Sequence, residues 1–158
     1  MTHNEIANYA LEALIKAGAQ KAACRGSTGR KDEFNIEAGK FTLMRTLFND
    51  SLTLKAIKDG RKGVMHINKL DKDSVDMAVE NCITLADSAM PDEAEDIAEK
   101  SGNKSFDQSL GGANMDKLFS RTKEFLQQLK DEYPKIVLES MSSDFNVSNT
   151  IYVNSNGV

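Results

Sequence analysis

Tryptophan is absent from this chain of 158 residues, and cysteine, histidine and proline occur only twice each. Cys24 and Cys82 lie far apart in different predicted elements, so they make neither a disulfide framework nor a zinc-type spacing. Cys82 falls on the apolar side of a predicted helix, where packing is favoured over reactivity. Cys24 lies on a predicted strand, and its role stays open. His3 and His66 have no cysteine or carboxylate at ligand spacing, so they read as terminal or strand-surface residues rather than metal ligands. No apolar stretch approaches the roughly 20 residues that a membrane span needs. The start, Met1-Thr2-His3-Asn4-Glu5, lacks the basic and apolar regions of a signal peptide. The expected location is therefore the cytoplasm.

Catalytic signatures are also missing. No G-x-S-x-G elbow is present, and the two histidines are poorly placed to act as bases for a nucleophile. Gly26-x-x-Gly29-Arg30-Lys31 echoes a glycine-rich loop but lacks the phosphate-loop spacing and the helix that should follow. A zinc-peptidase helix needs two histidines on one face beside a glutamate, and neither histidine qualifies. Glu93, Glu95 and Asp96 read as a solvated face rather than as a glycosidase pair or calcium loop. The formal charge of −4 argues against general nucleic-acid binding. Basic residues gather at Arg25, Arg30 and Lys31, and again at Lys58, Arg61 and Lys62. Solvated hairpin ends are the favoured reading there, with a local anion site as the alternative. No residue is nominated as catalytic, cofactor-binding or metal-binding.

What is present is a pattern of helices and strands. Thr2-x-x-Glu5 has the form of a capping box, and Ile6, Ala10, Ala13, Leu14 and Ala17 follow at helical spacing up to Gly18. Residues 21–68 read as four successive antiparallel strands, with reversals at Ser27-Thr28-Gly29 and Asn49-Asp50, a turn or a bulge at Gly39-Lys40, and a last reversal at Asp59-Gly60. Asp-Gly supplies the two positive-φ residues of a type I′ turn. Gly63 then leaves a strand position without a side chain, as a bulge or a close backbone approach requires. In the third run Phe41, Leu43 and Leu47 share one side and Met44 and Phe48 the other. A strand apolar on both faces is covered on both or leaves a sticky patch.

Asp71 or Asp73 should cap a second helix carrying Val75, Ala78, Val79, Cys82, Leu85 and Ala86 on one face, ending near Met90-Pro91. Asp92 to Glu99 allows one short helical turn. Ser101 to Ala113 reads as a loop that Phe106 and Leu110 could pin to the body. Asn114 is the expected N-cap of a third helix with the stripe Leu118, Thr122, Phe125, Leu126 and Leu129, stopping before Tyr133-Pro134. Lys135 to Met141 reads as a strand, then a turn through Ser142, Ser143 and Asp144, then a strand with Val147, Asn149, Ile151 and Val153 on one side. The fold class is α+β: an N-terminal helix, an antiparallel four-strand meander, two helices and two further antiparallel strands. Residues 1–158 are expected to form a single domain. The turn signal Asn154-Ser155-Asn156-Gly157, followed by Val158, implies the N-terminal domain of a longer protein whose C-terminal domain is absent.

The chain resembles the N-terminal domain of the TldD/PmbA family, a metallopeptidase family also known as modulators of DNA gyrase. Five ordered motifs carry the resemblance: Leu14 to Cys24 with Ala17-Gly18-Ala19; Lys58 to Gly63 with Asn68-Lys69-Leu70-Asp71; Ala86 to Asp92 closing on Met90-Pro91-Asp92; Phe106-Asp107-Gln108-Ser109-Leu110; and Asn154-Ser155-Asn156-Gly157. The arrangement is more similar to the PmbA branch than to the TldD branch. The resemblance implies a cytoplasmic dimer or heterodimer acting on unfolded peptides, with a TldD-type subunit or a second copy as partner. It implies no cofactor in this domain, and allows a zinc-type metal only in the TldD-type partner or a C-terminal domain. Direct nucleic-acid and membrane partners are not expected. The functional expectation is a non-catalytic domain that shapes the peptide cleft and the subunit interface of a peptide-processing metalloprotease complex. The alternative is a gyrase-linked binding or regulatory module without a proteolytic role.

Overall fold

The elements follow in the order α1 (His3–Lys16), β1 (Lys21–Glu37), β2 (Lys40–Lys58), β3 (Arg61–Ile67), α2 (Lys72–Ser88), α3 (Met115–Glu132) and β4 (Ser140–Asn154). The structure, a computed structural model, describes residues 2–100, 102–109, 111–112 and 114–157. Local chemistry places each helix. The Thr2 side chain accepts from the Glu5 N–H while Glu5 accepts from the Thr2 N–H, which completes the capping box of α1. Asp71, not Asp73, caps α2, accepting from the backbone N–H and the hydroxyl of Ser74. Those bonds favour the ionised carboxylate and lower its pKa to about 2. Asn114 caps α3 through the Lys117 N–H.

The strands form one four-stranded antiparallel sheet in the order β3-β2-β1-β4. Two reversals join β1 to β2 and β2 to β3, and each uses two successive positive-φ residues. These are Ala38 and Gly39 (47° and 72°), then Asp59 and Gly60 (51° and 70°). This is the type I′ geometry that follows the natural twist of paired strands. The Ser155 N–H donates to the Ala22 carbonyl (2.9 Å) and the Ala38 N–H to the Glu139 carbonyl (3.0 Å), so β4 runs antiparallel beside β1.

The α+β class, the three helices and the antiparallel sheet match the expectation, but the strand breaks fall elsewhere. The expected four-strand meander is three strands, because Ser27-Thr28-Gly29 and Asn49-Asp50 lie inside β1 and β2. Likewise, residues 135–139 are not a strand, and Ser142-Ser143-Asp144 continues extended inside β4. These residues favour turns locally, but a partner strand that satisfies their backbone groups outweighs that preference. The expected helical turn in 92–99 is absent; a turn at residues 93–94 stands in its place. Phe106 does not pin its loop, since it is 79% exposed. Leu110 and Val158 lie outside the described residues.

The chain divides into two compact units: Met1–Thr28, Asn49–Phe106 and Ser148–Val158 form the first, Gly29–Phe48 and Asp107–Val147 the second. In the first, Leu14, Ala22, Cys24, Leu52, Leu54, Val75 and Cys82 are fully buried in one cluster with further residues of α1 and α2. Gly63 makes this packing possible. The β2–β3 register is unbroken from Leu52↔Ile67 to Lys58↔Arg61, so there is no bulge. A Cβ on Gly63 would lie 1.9 Å from the Cys82 carbonyl oxygen, which identifies the position as a close approach of α2 to β3. Tyr9 on α1 donates a hydrogen bond to Asp76 on α2.

In the second unit, Phe34 and Ile36 are buried, and Phe34, Phe41 and Phe119 form an aromatic cluster with ring centroids 4.6–6.0 Å apart. Phe119 lies outside the expected apolar stripe of α3, of which only Thr122 is buried.

Candidate peptide-binding edge

A strand with a neighbour on one side only presents unpaired N–H and C=O groups on the other. β3 pairs with β2 from Leu52 to Lys58. The only strands beside β2 are β3 and β1, so residues 40–51 of β2 have no strand on their outer side among the described residues. Natural edges of that length are protected by charge, proline or a cover. This one instead carries Met44 and Phe48, 71% and 72% exposed. Of the two expectations for this strand, the sticky patch is the one observed. Arg30 stands over the Phe48 ring, 5.9 Å from its centroid.

Below this edge the second unit buries two carboxylates. Asp32 accepts from Arg30 (2.9 and 3.1 Å) and from the Thr46 hydroxyl (2.5 Å). Glu33 pairs with Lys31 (2.6 Å) and with Arg45. The bonds from Arg30, then Thr46, lower the Asp32 pKa; those from Lys31, then Arg45, lower that of Glu33. Both carboxylates are acceptors held ionised by neighbouring cations, which suits them to fixing β1 against β2 rather than to moving protons.

The other residues singled out by sequence are accounted for. Lys58 pairs with Asp87 (2.8 Å), Arg61 donates to the Asp87 carbonyl (3.1 Å) and Lys62 pairs with Glu95. The hairpin-end cations are therefore matched by the chain's own acceptors, not merely solvated. Glu95 and Asp96 belong to ion pairs with lysines of the sheet, which their local sequence does not reveal. Cys24 and Cys82 are both free and buried, and burial, then the neighbouring Cys82, pushes the Cys24 thiol up to about 12. His66 Nδ1 lies 2.9 Å from the Thr53 hydroxyl, and His3 Nε2 lies 3.5 Å from Asp50. Among the described residues, no three His, Cys, Asp or Glu side chains come together as a metal site. No described helix is long and apolar enough to cross a membrane.

No protein-family model and no curated protein matches this sequence. Solved structures do. TldE from Thermococcus kodakarensis aligns with a TM-score of 0.78 at 15% identity, covering 98% of this chain and 35% of that one. A proposed modulator of DNA gyrase from Bacteroides thetaiotaomicron aligns at 0.73 and 20% identity, covering 98% and 37%. A second such protein, from Thermotoga maritima, aligns at 0.67 and 13% identity, covering 99% and 36%. The chain therefore spans about a third of the length of these proteins and shares its fold with that part of each.

Proposed function

We propose that the chain is a non-catalytic N-terminal domain of a PmbA-like protein within a TldD/PmbA-type peptide-processing metalloprotease complex. There it shapes the peptide cleft and the subunit interface, and a TldD-type subunit or a second copy is its partner. The observation that carries this reading is the half of β2 without an outer neighbour, at residues 40–51, flanked by exposed Met44 and Phe48. An unfolded peptide laid beside it gains main-chain hydrogen bonds, which demand little of side-chain identity. The two exposed apolar side chains add contact area at low specificity. The fold shared with TldE supports the same reading. Any metal that cleaves the peptide belongs in the partner or in a C-terminal domain, and the complex works in the cytoplasm.

The test uses full-length protein with its partner and unfolded peptides. Replacing Met44 and Phe48 with lysine guards the edge and should lower cleavage about tenfold, as loss of about 1.4 kcal/mol of peptide binding would, with the dimer intact. Unchanged cleavage would remove the idea. A second reading, a gyrase-linked regulatory module, is favoured by the description of two structural neighbours as proposed gyrase modulators. Binding of purified gyrase by this chain alone, without effect on peptide cleavage, would select it.

A further inference from the structure

Lys21 and Arg25 on β1, Lys55 on β2 and Lys62 on β3 place four cations on strands of the first unit's sheet. Across them runs the irregular segment 92–98 that follows α2. Lys55 Nζ donates to Glu95 Oε2 (2.9 Å) and to the Asp96 carbonyl (2.8 Å), and Lys62 pairs with the other Glu95 oxygen. Lys21 Nζ lies 2.6 Å from Asp96 Oδ1. Ile97, 8% exposed, packs with Ala23 and Ile57. Main-chain groups anchor the two ends. The Asp92 N–H donates to the Gly60 carbonyl (2.8 Å), and the Asn154 and Asn156 amides donate to the Ala98 carbonyl (2.9 and 3.0 Å).

This is how a protein surface reads an extended acidic peptide: carboxylates on lysines, one aliphatic side chain in an apolar seat, and main-chain bonds at the ends. The segment does not use the whole surface. A cavity of about 260 Å³ opens beside Ile97, lined in part by Arg25, Thr53 and Tyr152. Arg25 has no ion-pair partner among the described residues. Nor is the segment held by regular secondary structure, and ion pairs as exposed as Lys21–Asp96 contribute little to holding it. A segment held by ion pairs and end contacts rather than by a helix or a strand ladder opens more often than the core.

We infer that this face of the sheet is a recognition surface for an acidic, extended peptide with two adjacent carboxylates followed by an aliphatic residue, and that residues 92–98 occupy it in cis. The site is separate from the β2 edge and does not depend on it.

A fluorescein-labelled peptide Asp-Glu-Ala-Glu-Asp-Ile-Ala is the probe. It should bind the wild-type chain weakly, because a tethered copy competes at an effective concentration of about a millimolar. In the Glu95→Gln, Asp96→Asn double variant the tethered copy loses the two carboxylates that meet the lysines, and the peptide should bind about tenfold more tightly or better. Adding Lys55→Gln to that variant should abolish the gain. Equal affinity for the wild-type chain and the double variant would overturn the proposal. If the double variant fails to fold by circular dichroism, hydrogen exchange on the wild-type chain decides. Millimolar peptide should then speed exchange of the 92–98 amides and leave α2 unchanged; no change in 92–98 would overturn the proposal.

Discussion

The two units reach compactness by different means. The first packs α1 and α2 on small and aliphatic side chains, so closely that one strand position admits no Cβ. The second buries few apolar side chains, relies on an aromatic cluster that includes partly exposed Phe119, and fixes its hairpin with two buried, ion-paired carboxylates. Stability is thus concentrated in the first unit. The second carries residues 40–48 of the open strand edge and an exposed apolar pair, features that a recognition surface needs and a core does not.

The sharpest way to break this comparison is Gly63→Ala. Its Cβ would meet the Cys82 carbonyl oxygen at 1.9 Å and the Ala86 nitrogen at 2.8 Å, both of them backbone. A loss of about 3 kcal/mol or more is expected from such overpacking, read from the denaturant midpoint. Next comes a matched pair. Leu54→Ala in the first unit should cost about 2–5 kcal/mol, whereas Phe119→Ala in the second should cost only about 1–2 kcal/mol because the ring is partly exposed. Equal losses would mean that the units do not differ in the way described.

Acid should act on the second unit through Asp32 and Glu33. Their folded pKa values lie below the ordinary 3.8 and 4.5, so the stability they contribute is complete above those values and is lost as pH falls through the lowered ones. Amide signals of residues 30–33 and 45–46 followed by NMR during an acid titration should shift with these groups, and Asp32→Asn with Glu33→Gln should flatten that dependence. The smallest effect concerns the thiols. With Cys24 and Cys82 buried and both raised in pKa, neither should react with a disulfide reagent at about pH 8 until the protein unfolds. Rapid labelling of the native chain would show that the first unit opens readily.

Much of this was legible in the sequence where the signal is local. Thr2 with Glu5, Asp71 and Asn114 announce helix starts because a cap bonds to backbone three residues away. Asp59-Gly60 announces a hairpin because few residue pairs accept two positive φ angles. Ser27-Thr28-Gly29 and Asn49-Asp50 carry equally polar turn signals yet stay within β1 and β2, because each has a neighbouring strand to pair with. The pairing of Glu95 and Asp96 was hidden for a related reason. Their lysine partners come from β1, β2 and β3, and nothing in the acidic run itself points to them. Phe119 was missed because its partners, Phe34 and Phe41, lie across the β1–β2 hairpin, and only folding brings that hairpin to α3. For the candidate edge, the two-sided apolar pattern of residues 41–48 was visible, but not the short β3 that leaves it unpaired.

The most direct test of the open edge is hydrogen exchange of the β2 amides with and without a saturating unfolded peptide. Outward-facing amides within residues 40–51 should exchange more slowly when peptide is bound, while those from Leu52 to Lys58, already paired with β3, should not change. A peptide that binds and leaves residues 40–51 unprotected would contradict the account.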